Sequence, residues 1–412
     1  MSASAQVPRL ADFLERGRVV PLYRDLLATG WSGNLSLERF YGLPFLTKHQ
    51  MRLGFPGNFL GDNRRLDSMI EHQLVELEHT SGTSSERLPV ILGRGWWPEQ
   101  EERALRLNSL VARVLDDHPN ARRAAITAPA CTGLTCPTGW MSREQRTLGN
   151  TLHVNLARIP FLLAESDLAR MAGEISDWAP QFLDVSPVHG ARFALYCEQR
   201  GVKLPSLRFV LCSYEFVSVV HRRILERVFG VPVFNLYGST ETGHLLMENL
   251  HGEMKPSYDT AFFEVVDPDD TGVGELVVTT LSNGFMPLLR YRIGDLVEHL
   301  LQPYGNAYVV HGRAPDALRS REGRRLTTWQ VDQCFSGVRG IVHYELRQSE
   351  NGGGDLRVVG EQDGPSEAVL HQVASRLQEL LQSTAALEIH RRPTLLPAAS
   401  GKFRLTAGAA RS

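Results

Sequence analysis

The segment Gly274–Leu296, GELVVTTLSNGFMPLLRYRIGDL, carries the most informative pattern of this 412-residue chain. Its opening run, GELVVTT, is rich in β-branched side chains and predicts a strand. A polar run then ends at Asp295, directly after Gly294. We expect a glycine turn that presents the Asp295 carboxylate to two vicinal hydroxyls, such as those of a ribose. The structural alternative is a hairpin that ends in an ordinary Gly-Asp turn.

The sequence around this segment alternates short β-branched runs with amphipathic helical stretches, which is typical of layered α/β folds. Leu207–Ser213 and Val231–Tyr237 are predicted strands, and Ser218–Phe229 between them is a predicted helix. Together they form a βαβ unit, whose loops at the carboxyl ends of the strands are the usual place for a ligand. Two further helices are predicted at Glu99–Asp117 and Pro187–Arg200.

The pattern changes near Gly312–Asp316, where we place a domain boundary. We predict a large N-terminal domain with layered α/β sheets over residues 1–312 and a small α+β domain over residues 313–412. The predicted helices and strands of the small domain are Thr327–Phe335, Val342–Arg347, Leu356–Gly360, Ser366–Leu381 and Ala386–Arg391.

Composition is ordinary for a soluble globular enzyme, because 42% of the residues are hydrophobic and 22% are charged. The net charge of -2, without a block of like charges, argues against a nucleic-acid partner or a membrane-binding surface. We expect no signal peptide and no transmembrane segment, since no apolar run is long enough. Five cysteines without a framework-like spacing predict a reducing, cytoplasmic setting.

Three further segments carry side chains suited to phosphate chemistry. His79–Ser85 (HTSGTSS) offers hydroxyls that can surround phosphate oxygens, although such clusters are also common in plain surface loops. Tyr237–Gly243 (YGSTETG) offers a stacking tyrosine and an acidic ligand for Mg²⁺, or else the start of a helix capped by Ser239 or Thr240. Ser400–Arg404 (SGKFR) places a lysine after a glycine, where it could stabilise charge at a phosphate or lie in a solvated tail.

These segments, in this order, resemble the adenylate-forming superfamily, and most closely its phenylacetate–CoA ligase-like branch. Leu43–Lys48 (LPFLTK) is similar to the N-terminal LPFTTK element of that branch. The resemblance continues through the Ser/Thr/Gly loop, Leu204–Arg208, Ser213–Glu215, YGSTE, GELVVTTL, MPLLRYRIGDL, Gly312-Arg313 and GKFR. It implies an ATP- and Mg²⁺-dependent enzyme that converts a carboxylic acid into an acyl-adenylate with release of pyrophosphate. The acyl group would then pass to a thiol, that of coenzyme A or of a carrier protein.

The resemblance also implies a role for each motif residue. The β- and γ-phosphates would be held by Thr80, Ser81, Gly82, Thr83 and Ser84. The adenine would lie beside Tyr237 and Gly238 and the turn formed by Ser213, Tyr214 and Glu215. Glu241 would bind Mg²⁺, Thr240 would contact the α-phosphate, and Asp295 would bind the ribose with Arg313 nearby. Lys402 would bridge the attacking carboxylate and the α-phosphate, on a mobile small domain that swings away for acyl transfer.

Two motifs depart from the family pattern. The phosphate loop ends in Ser85-Glu86-Arg87 rather than near Gly-Lys-Pro, so Arg87 would have to replace the missing cation. The hinge reads Gly312-Arg313-Ala314-Pro315-Asp316, with proline where the family has an acidic pivot. Proline fixes φ and leaves ψ free. An altered swing with slow or absent transfer to coenzyme A and a normal rotation about ψ are both compatible with it.

The acyl pocket implied by the family would draw on Thr135–Met141 and on the strands near YGSTE. Its candidate residues are Trp140, Tyr214, Asn235, Gly238, His244 and Leu245. Their character favours an aromatic or medium-sized apolar acid. Two alternatives stay open: transfer to an amine or other non-thiol nucleophile, and a degenerate, non-catalytic protein that binds an adenylate-like ligand. We expect a small carboxylic acid substrate, no membrane partner, and a monomer or homodimer.

Overall fold

The computed structural model describes residues 3–28, 36–61, 65–80, 87–127, 141–302, 305–349, 352–385, 387–398 and 400–408. The chain divides into two compact units. Unit 1 comprises Met1–Ser109 and Leu236–Val310, and unit 2 comprises Leu110–Asn235 and His311–Ser412. The mobile small domain over residues 313–412 stays a prediction, because contacts within one conformation do not show which part of the chain moves.

Helices and strands alternate along much of the chain, which confirms the predicted α/β class. The helices are α1 (Ala3–Gly17), α2 (Leu37–Tyr41), α3 (Lys48–Arg52), α4 (Gly57–Leu60), α5 (Leu66–Glu71), α6 (Trp96–Leu105), α7 (Ser109–Asp117), α8 (Glu165–Trp178), α9 (Pro187–Arg200), α10 (Val219–Phe229), α11 (Thr328–Gln333) and α12 (Glu367–Leu381). The strands are β1 (Val75–His79), β2 (Pro89–Gly93), β3 (Arg123–Ile126), β4 (Thr147–Leu148), β5 (Thr151–His153), β6 (Phe182–Val185), β7 (Phe209–Cys212), β8 (Val233–Ser239), β9 (Gly243–Glu248), β10 (Met254–Pro256), β11 (Ala261–Val266), β12 (Val273–Thr280), β13 (Tyr291–Gln302), β14 (Gly305–Arg313), β15 (Leu318–Arg319), β16 (Arg325–Leu326), β17 (Ile341–Gln348), β18 (Gly354–Gly360), β19 (Leu387–Arg391) and β20 (Thr406–Ala407). Short 3₁₀ turns lie at Pro21–Tyr23, Glu144–Arg146, Pro160–Leu162 and Ala314–Asp316.

Unit 1 is built on antiparallel strands. They follow the order β11, β12, β13, β14, β10 and β9, and β9 pairs with the last residues of β8. β1 and β2 form a separate hairpin. The apolar core of the unit joins helical side chains such as Leu10, Phe40 and Met51 to strand residues such as Tyr291.

Unit 2 contains a mostly parallel sheet. The first residues of β8 pair with β7, followed by β6, β3 and β5, all parallel, and by antiparallel β4. β7 and β8 pair in parallel with α10 between them in the chain, which confirms the predicted βαβ unit. A second sheet, β19-β18-β17-β20, shares one apolar core with the first, through residues such as Ile224 and Tyr344.

Two local predictions were wrong. The single helix predicted at Glu99–Asp117 is two helices, α6 and α7. The buried Asn108 lies at the break, and its side-chain amide donates to the Glu248 carbonyl (2.8 Å). The second wrong prediction was the glycine turn before Asp295, because Gly294 does not end a strand. It adopts φ 89° inside β13, where the register with β12 shifts and makes a bulge.

No helix in the described ranges is long and apolar enough to cross a membrane.

Candidate active site

The Leu43–Lys48 segment is joined to the start of β13 by backbone hydrogen bonds. Leu46 and Tyr291 form a parallel bridge. The Leu46 amide donates to the Arg290 carbonyl (3.0 Å), and the Arg292 amide donates to the Leu46 carbonyl (3.0 Å). The LPFLTK and RYRIGDL motifs, far apart in sequence, are therefore neighbours in unit 1.

Arg290 fixes this junction with its side chain. The buried guanidinium donates to the carbonyls of Tyr41 and Leu43 and forms an ion pair with Glu264 (2.7 Å). It also lies 4.4 Å from the centre of the Phe45 ring. Because Arg290 is fully engaged by these partners, it contributes to architecture rather than to ligand binding.

Glu241, the acidic residue of the YGSTETG turn, is deeply buried, with 4% of its side chain exposed. Lys48, the first residue of α3, places its Nζ 2.9 Å from Glu241 Oε1. The Tyr291 hydroxyl donates to the same oxygen (3.0 Å). Burial raises the pKa of Glu241, but the Lys48 charge and the hydrogen bonds outweigh it and lower the pKa overall. Glu241 is therefore a carboxylate at neutral pH.

Asp295 lies in β13 directly after the Gly294 bulge, largely buried. The Tyr237 hydroxyl donates to Asp295 Oδ2 (2.7 Å), which links β8 to β13 through side chains. The bulge turns Asp295 out of the regular alternation of the strand. The tyrosine and the carboxylate proposed for the adenosine half of a nucleotide are thus adjacent.

The YGSTETG turn connects β8 to β9 as a hairpin, so the alternative of a capped helix start at Ser239 or Thr240 was wrong. Ser239 and Thr242 share a hydroxyl hydrogen bond (3.0 Å) across the turn. A Cβ on Gly238 would lie 2.2 Å from the Gly243 carbonyl oxygen, so this position requires glycine.

Thr80 closes the neck of the predicted phosphate loop, next to the β1–β2 hairpin. Its amide donates to the Leu88 carbonyl, and its hydroxyl accepts the Leu88 amide, both at 3.0 Å. The side chain of Arg87 is exposed. Ser81, Gly82, Thr83 and Ser84 lie outside the described residues, as does Trp140 of the predicted acyl pocket.

Unit 2 contains the turn Ser213-Tyr214-Glu215 at the end of β7. The buried Asp184 on β6 accepts from the Ser213 hydroxyl (2.6 Å) and from the Tyr214 hydroxyl (3.1 Å). Arg123 lies 3.5 Å from the same carboxylate. Tyr214 adopts φ 74°, a conformation that these side-chain bonds help to hold.

Lys402 lies close to this turn in unit 2. The amide of Phe403, the next residue, donates to Glu215 Oε1 (3.1 Å). The Lys402 carbonyl accepts from the Ala398 amide (2.8 Å), which closes a tight turn around Gly401. Burial raises the pKa of Glu215 to about 7, although the Phe403 amide and the Lys402 charge oppose the rise.

The predicted hinge residues form a left-handed glycine followed by a 3₁₀ turn. Gly312 has φ 96°, and a Cβ there would lie 2.8 Å from the side chain of Thr328. Arg313 precedes the turn Ala314–Asp316, which contains Pro315. Asp316 lies 3.6 Å from Arg404 of the GKFR segment.

The structure describes three further residues of the predicted pocket, His244 and Leu245 in unit 1 and Asn235 in unit 2. In unit 1, His244 packs against the Trp97 ring (5.2 Å between centroids) and lies 3.6 Å from Glu101. Leu245 is completely buried in the core of unit 1. Asn235 pairs with Cys212 across β7 and β8 in unit 2.

Sequence reasoning missed the two partners of Glu241 in unit 1, Lys48 and Tyr291. In unit 2 it missed Asp184, the partner of Ser213 and Tyr214. Lys48 and Tyr291 lie inside recognised motifs, so their presence there was the available signal. Asp184 had a weaker signal, a single acid within the otherwise apolar β6.

No family model matches the chain. Protein CapK of Staphylococcus aureus is 30% identical over 177 residues, which cover 41% of this chain and 39% of that protein. The phenylacetate-coenzyme A ligase of Thermus thermophilus is 31% identical over 192 residues, which cover 42% of this chain and 43% of that enzyme. The matches therefore span about two fifths of the length of these curated relatives.

Solved structures share the fold over most of the chain. A 2-hydroxyisobutyryl-CoA ligase in the postadenylation state, in complex with 2-HIB-AMP, has a TM-score of 0.71 at 17% identity and covers 98% of this chain and 88% of that one. The anthranilate CoA ligase AuaEII in complex with anthranoyl-AMP has a TM-score of 0.58 at 15% identity and covers 80% and 65%. Together with the sequence relatives, this fold confirms the resemblance to phenylacetate–CoA ligase-like members of the adenylate-forming superfamily.

Proposed function

We propose that this chain, a relative of the phenylacetate–CoA ligases with the adenylate-forming fold, is an AMP-forming acid ligase. It uses ATP to convert a carboxylic acid into an acyl-adenylate and pyrophosphate. The observation that carries the proposal is the convergence, within unit 1, of LPFLTK, YGSTE and RYRIGDL on two buried carboxylates, Glu241 and Asp295. Buried ionisable groups with perturbed pKa values, of which Glu241 is one, are concentrated at functional sites, so their placement at three joined motifs favours a ligand-binding purpose.

Asp295 is the residue proposed for the ribose hydroxyls. A carboxylate accepts hydrogen bonds from two vicinal hydroxyls at once, and the Tyr237 hydroxyl at 2.7 Å orients it. The Tyr237 ring and Gly238 would then flank the adenine, with Arg313 near the ribose.

Glu241 fits the proposed role of a Mg²⁺ ligand. Its carboxylate is ionised, and Mg²⁺ is commonly held by one or two carboxylates plus phosphate and water oxygens. Among the described residues, no group of three or more His, Cys, Asp and Glu side chains could hold a metal ion. This suits a Mg²⁺ ion that is held jointly by Glu241 and by phosphate and water oxygens. When bound, the ion would neutralise charge on the phosphates. Lys48 would orient the same carboxylate.

The reaction needs positioning and charge neutralisation more than acid–base catalysis. A substrate carboxylate oxygen attacks the α-phosphorus, the bond from that phosphorus to the bridging oxygen breaks, and pyrophosphate leaves. Lys402 would stabilise the negative charge that develops, with Thr240 at the α-phosphate. Thr80 and the loop from Ser81 to Ser84 would hold the leaving phosphates.

For the acid and the acceptor we propose an aromatic carboxylic acid and a thiol, that of coenzyme A or of a carrier protein. The name of the sequence relative from Thermus thermophilus supports this choice, since that enzyme joins phenylacetate, an aromatic acid, to coenzyme A. The fold relatives act on both an aliphatic acid, 2-hydroxyisobutyrate, and an aromatic one, anthranilate, so the acid rests on the sequence relative.

Pyrophosphate release across a panel of aryl and alkyl acids tests the proposal, with mass-spectrometric detection of the acyl-adenylate. We expect release that depends on one class of acid and falls about 100-fold or more in Lys402→Ala. Lys203→Ala, an exposed lysine of the same unit, is the matched control and should behave as wild type. If no acid stimulates release and Lys402→Ala changes nothing, the chain is not an acid ligase.

A further inference from the structure

Glu215 has an unusual environment for a residue that the sequence predicts to lie beside the adenine. Its Oε1 accepts the Phe403 amide at 3.1 Å. Its Oε2 is buried and has no hydrogen-bond partner among the described residues. The Lys402 charge is close enough to influence the carboxylate. Glu215 is thus directed at the GKFR segment.

The ring of Phe403 reinforces this attachment. It packs edge-on against His343 (5.0 Å between centroids, 85°) and against His189 (6.3 Å, 66°). Burial lowers the pKa of both histidines, that of His189 to about 4, so both are neutral near pH 7. Phe403 is therefore held by its amide on Glu215 and by its ring between two uncharged imidazoles.

The residues after Phe403 are held separately by the C-terminal sheet. The Leu346 amide donates to the Leu405 carbonyl (2.9 Å), and β20 pairs in parallel with β17. Arg404 lies 3.6 Å from Asp316 of the hinge turn. The GKFR segment is thus anchored to the C-terminal part at one end, while Glu215 contacts it from residues 110–235.

We propose that Glu215 is a positioning residue for Lys402, holding the Phe403 amide so that the lysine side chain is aimed for the first half-reaction. The inference rests on the proposed function of Lys402, and it gives Glu215 a role other than flanking the adenine. The hydrogen-bonded Phe403 nitrogen is covalently bonded to the carbonyl carbon of Lys402, so a shift of this hydrogen bond moves the lysine directly. An ångström of misplacement is enough to slow positioned chemistry about 100-fold.

The contact is suited to being made and broken. The unpartnered Oε2 offsets part of the energy that the charge-assisted bond to the Phe403 amide contributes. Burial raises the pKa of Glu215 to about 7, which reflects that cost. A weak attachment of this kind can hold Lys402 during adenylation and release the segment afterwards.

The kinetic test compares Glu215→Ala, Glu215→Asp and Glu215→Gln in the adenylation of the best acid. Glu215→Ala and Glu215→Asp, which remove or withdraw the acceptor, should lower kcat about 10- to 100-fold with the KM for ATP within about twofold. Glu215→Gln keeps an oxygen that can accept the Phe403 amide and should retain most of the rate. A rise in the KM for ATP with unchanged kcat would assign Glu215 to the adenine and overturn the inference.

A double mutant provides a second test of the positioning role. If Glu215 acts through Lys402, Glu215→Ala should slow Lys402→Ala by no more than about twofold. If the fold-changes of the two single substitutions multiply in the double mutant, Glu215 acts independently of Lys402, which would refute the positioning role.

Hydrogen exchange keeps this inference separate from the proposed function. The Phe403 amide should exchange faster in Glu215→Ala and stay protected in Glu215→Gln. If wild type forms no acyl-adenylate with any acid, the proposed function fails while this structural attachment can still be observed. Unchanged protection of Phe403 in Glu215→Ala would refute the attachment whatever the activity.

Discussion

Lys48→Met removes the cation that faces Glu241 and keeps an unbranched side chain of similar length. Lys48 Nζ lies 2.9 Å from Glu241 Oε1, and the exposed fractions of the two side chains are 31% and 4%. The substitution leaves a buried carboxylate that retains the Tyr291 hydroxyl (3.0 Å) as a partner. We expect unit 1 to lose stability and the pKa of Glu241 to rise.

The expected loss is about 2 kcal/mol. Coulomb's law at 2.9 Å with an effective dielectric constant of about 20 gives about 6 kcal/mol before desolvation. Breaking a fully buried pair costs about 3–5 kcal/mol, and breaking an exposed pair costs about 0–1 kcal/mol. Lys48 is close to one-third exposed, so solvent screening places this pair between the two limits. A loss of this size lowers the melting temperature of a unit of about 200 residues by about 4–8 °C.

The pH dependence of the loss follows from the lowered pKa of Glu241. A carboxyl group whose folded pKa lies below its ordinary value of 4.5 contributes stability above that value. This contribution disappears as the pH falls through the folded pKa. The difference in melting temperature between wild type and Lys48→Met should therefore be complete at pH 7 and shrink below about pH 4.

Calorimetry of wild type, Lys48→Met, Glu241→Gln and the double mutant measures the coupling of the pair. Lys255→Met is the matched control, because the Lys255–Glu253 pair has the same 2.9 Å separation in unit 1 with a more exposed acid, and it should lose less. A coupling free energy below about 0.5 kcal/mol would refute the reasoning, and so would a difference in melting temperature that does not shrink at all as the pH falls below 4.5.

Three further substitutions test other parts of the molecule. Tyr237→Phe removes the hydroxyl that donates to Asp295, so we expect the KM for ATP in pyrophosphate release to rise about tenfold with little change in kcat; a selective fall in kcat would contradict this. Gly312→Ala adds a methyl group 2.8 Å from a buried threonine at φ 96°, and should destabilise by about 1–3 kcal/mol in calorimetry. Gly337→Ala, with φ 74° and open space, should lose less, and equal losses would exclude the steric cause. Burial raises the pKa of Asp332 to about 6, so the stability linked to its protonation is present below about pH 4 and lost as the pH rises through 6. Asp332→Asn should therefore cost more stability at pH 4 than at pH 7. The opposite trend would show that Asp332 is ionised in the folded protein.

The helices that were predicted well from the sequence have local signals at their ends. α9 matches the predicted Pro187–Arg200 because proline starts it and Gly201, at φ 65°, ends it. The predicted helix at Ser218–Phe229 begins one residue early only because Ser218 is the N-cap of α10. Such boundaries depend on neighbouring residues and are visible in one sequence.

The errors occurred where a distant partner decides the local structure. Asn108 interrupts the predicted Glu99–Asp117 helix through a carbonyl at Glu248, 140 positions away. Gly294 becomes a bulge because β13 continues along β12 beyond it. The pairing of Lys48 with Glu241 has the same cause, since neither motif by itself indicates which charge faces it.

Partnering distinguishes the buried acids that stabilise the fold from the one that we assign to movement. Asp332 accepts from the Ser218 hydroxyl, the Val219 amide and the Tyr344 hydroxyl, so both of its oxygens are satisfied. Both oxygens of Glu264 likewise accept hydrogen bonds from the Arg290 guanidinium. Glu215 has one amide partner and one buried oxygen without a hydrogen bond in the described part of the chain. A buried polar atom without a partner costs about 1–3 kcal/mol, and a residue that serves only stability gains nothing from it. The incomplete bonding of Glu215 suits a contact that opens during a reaction cycle, whereas the completed network of Asp332 suits a contact that persists.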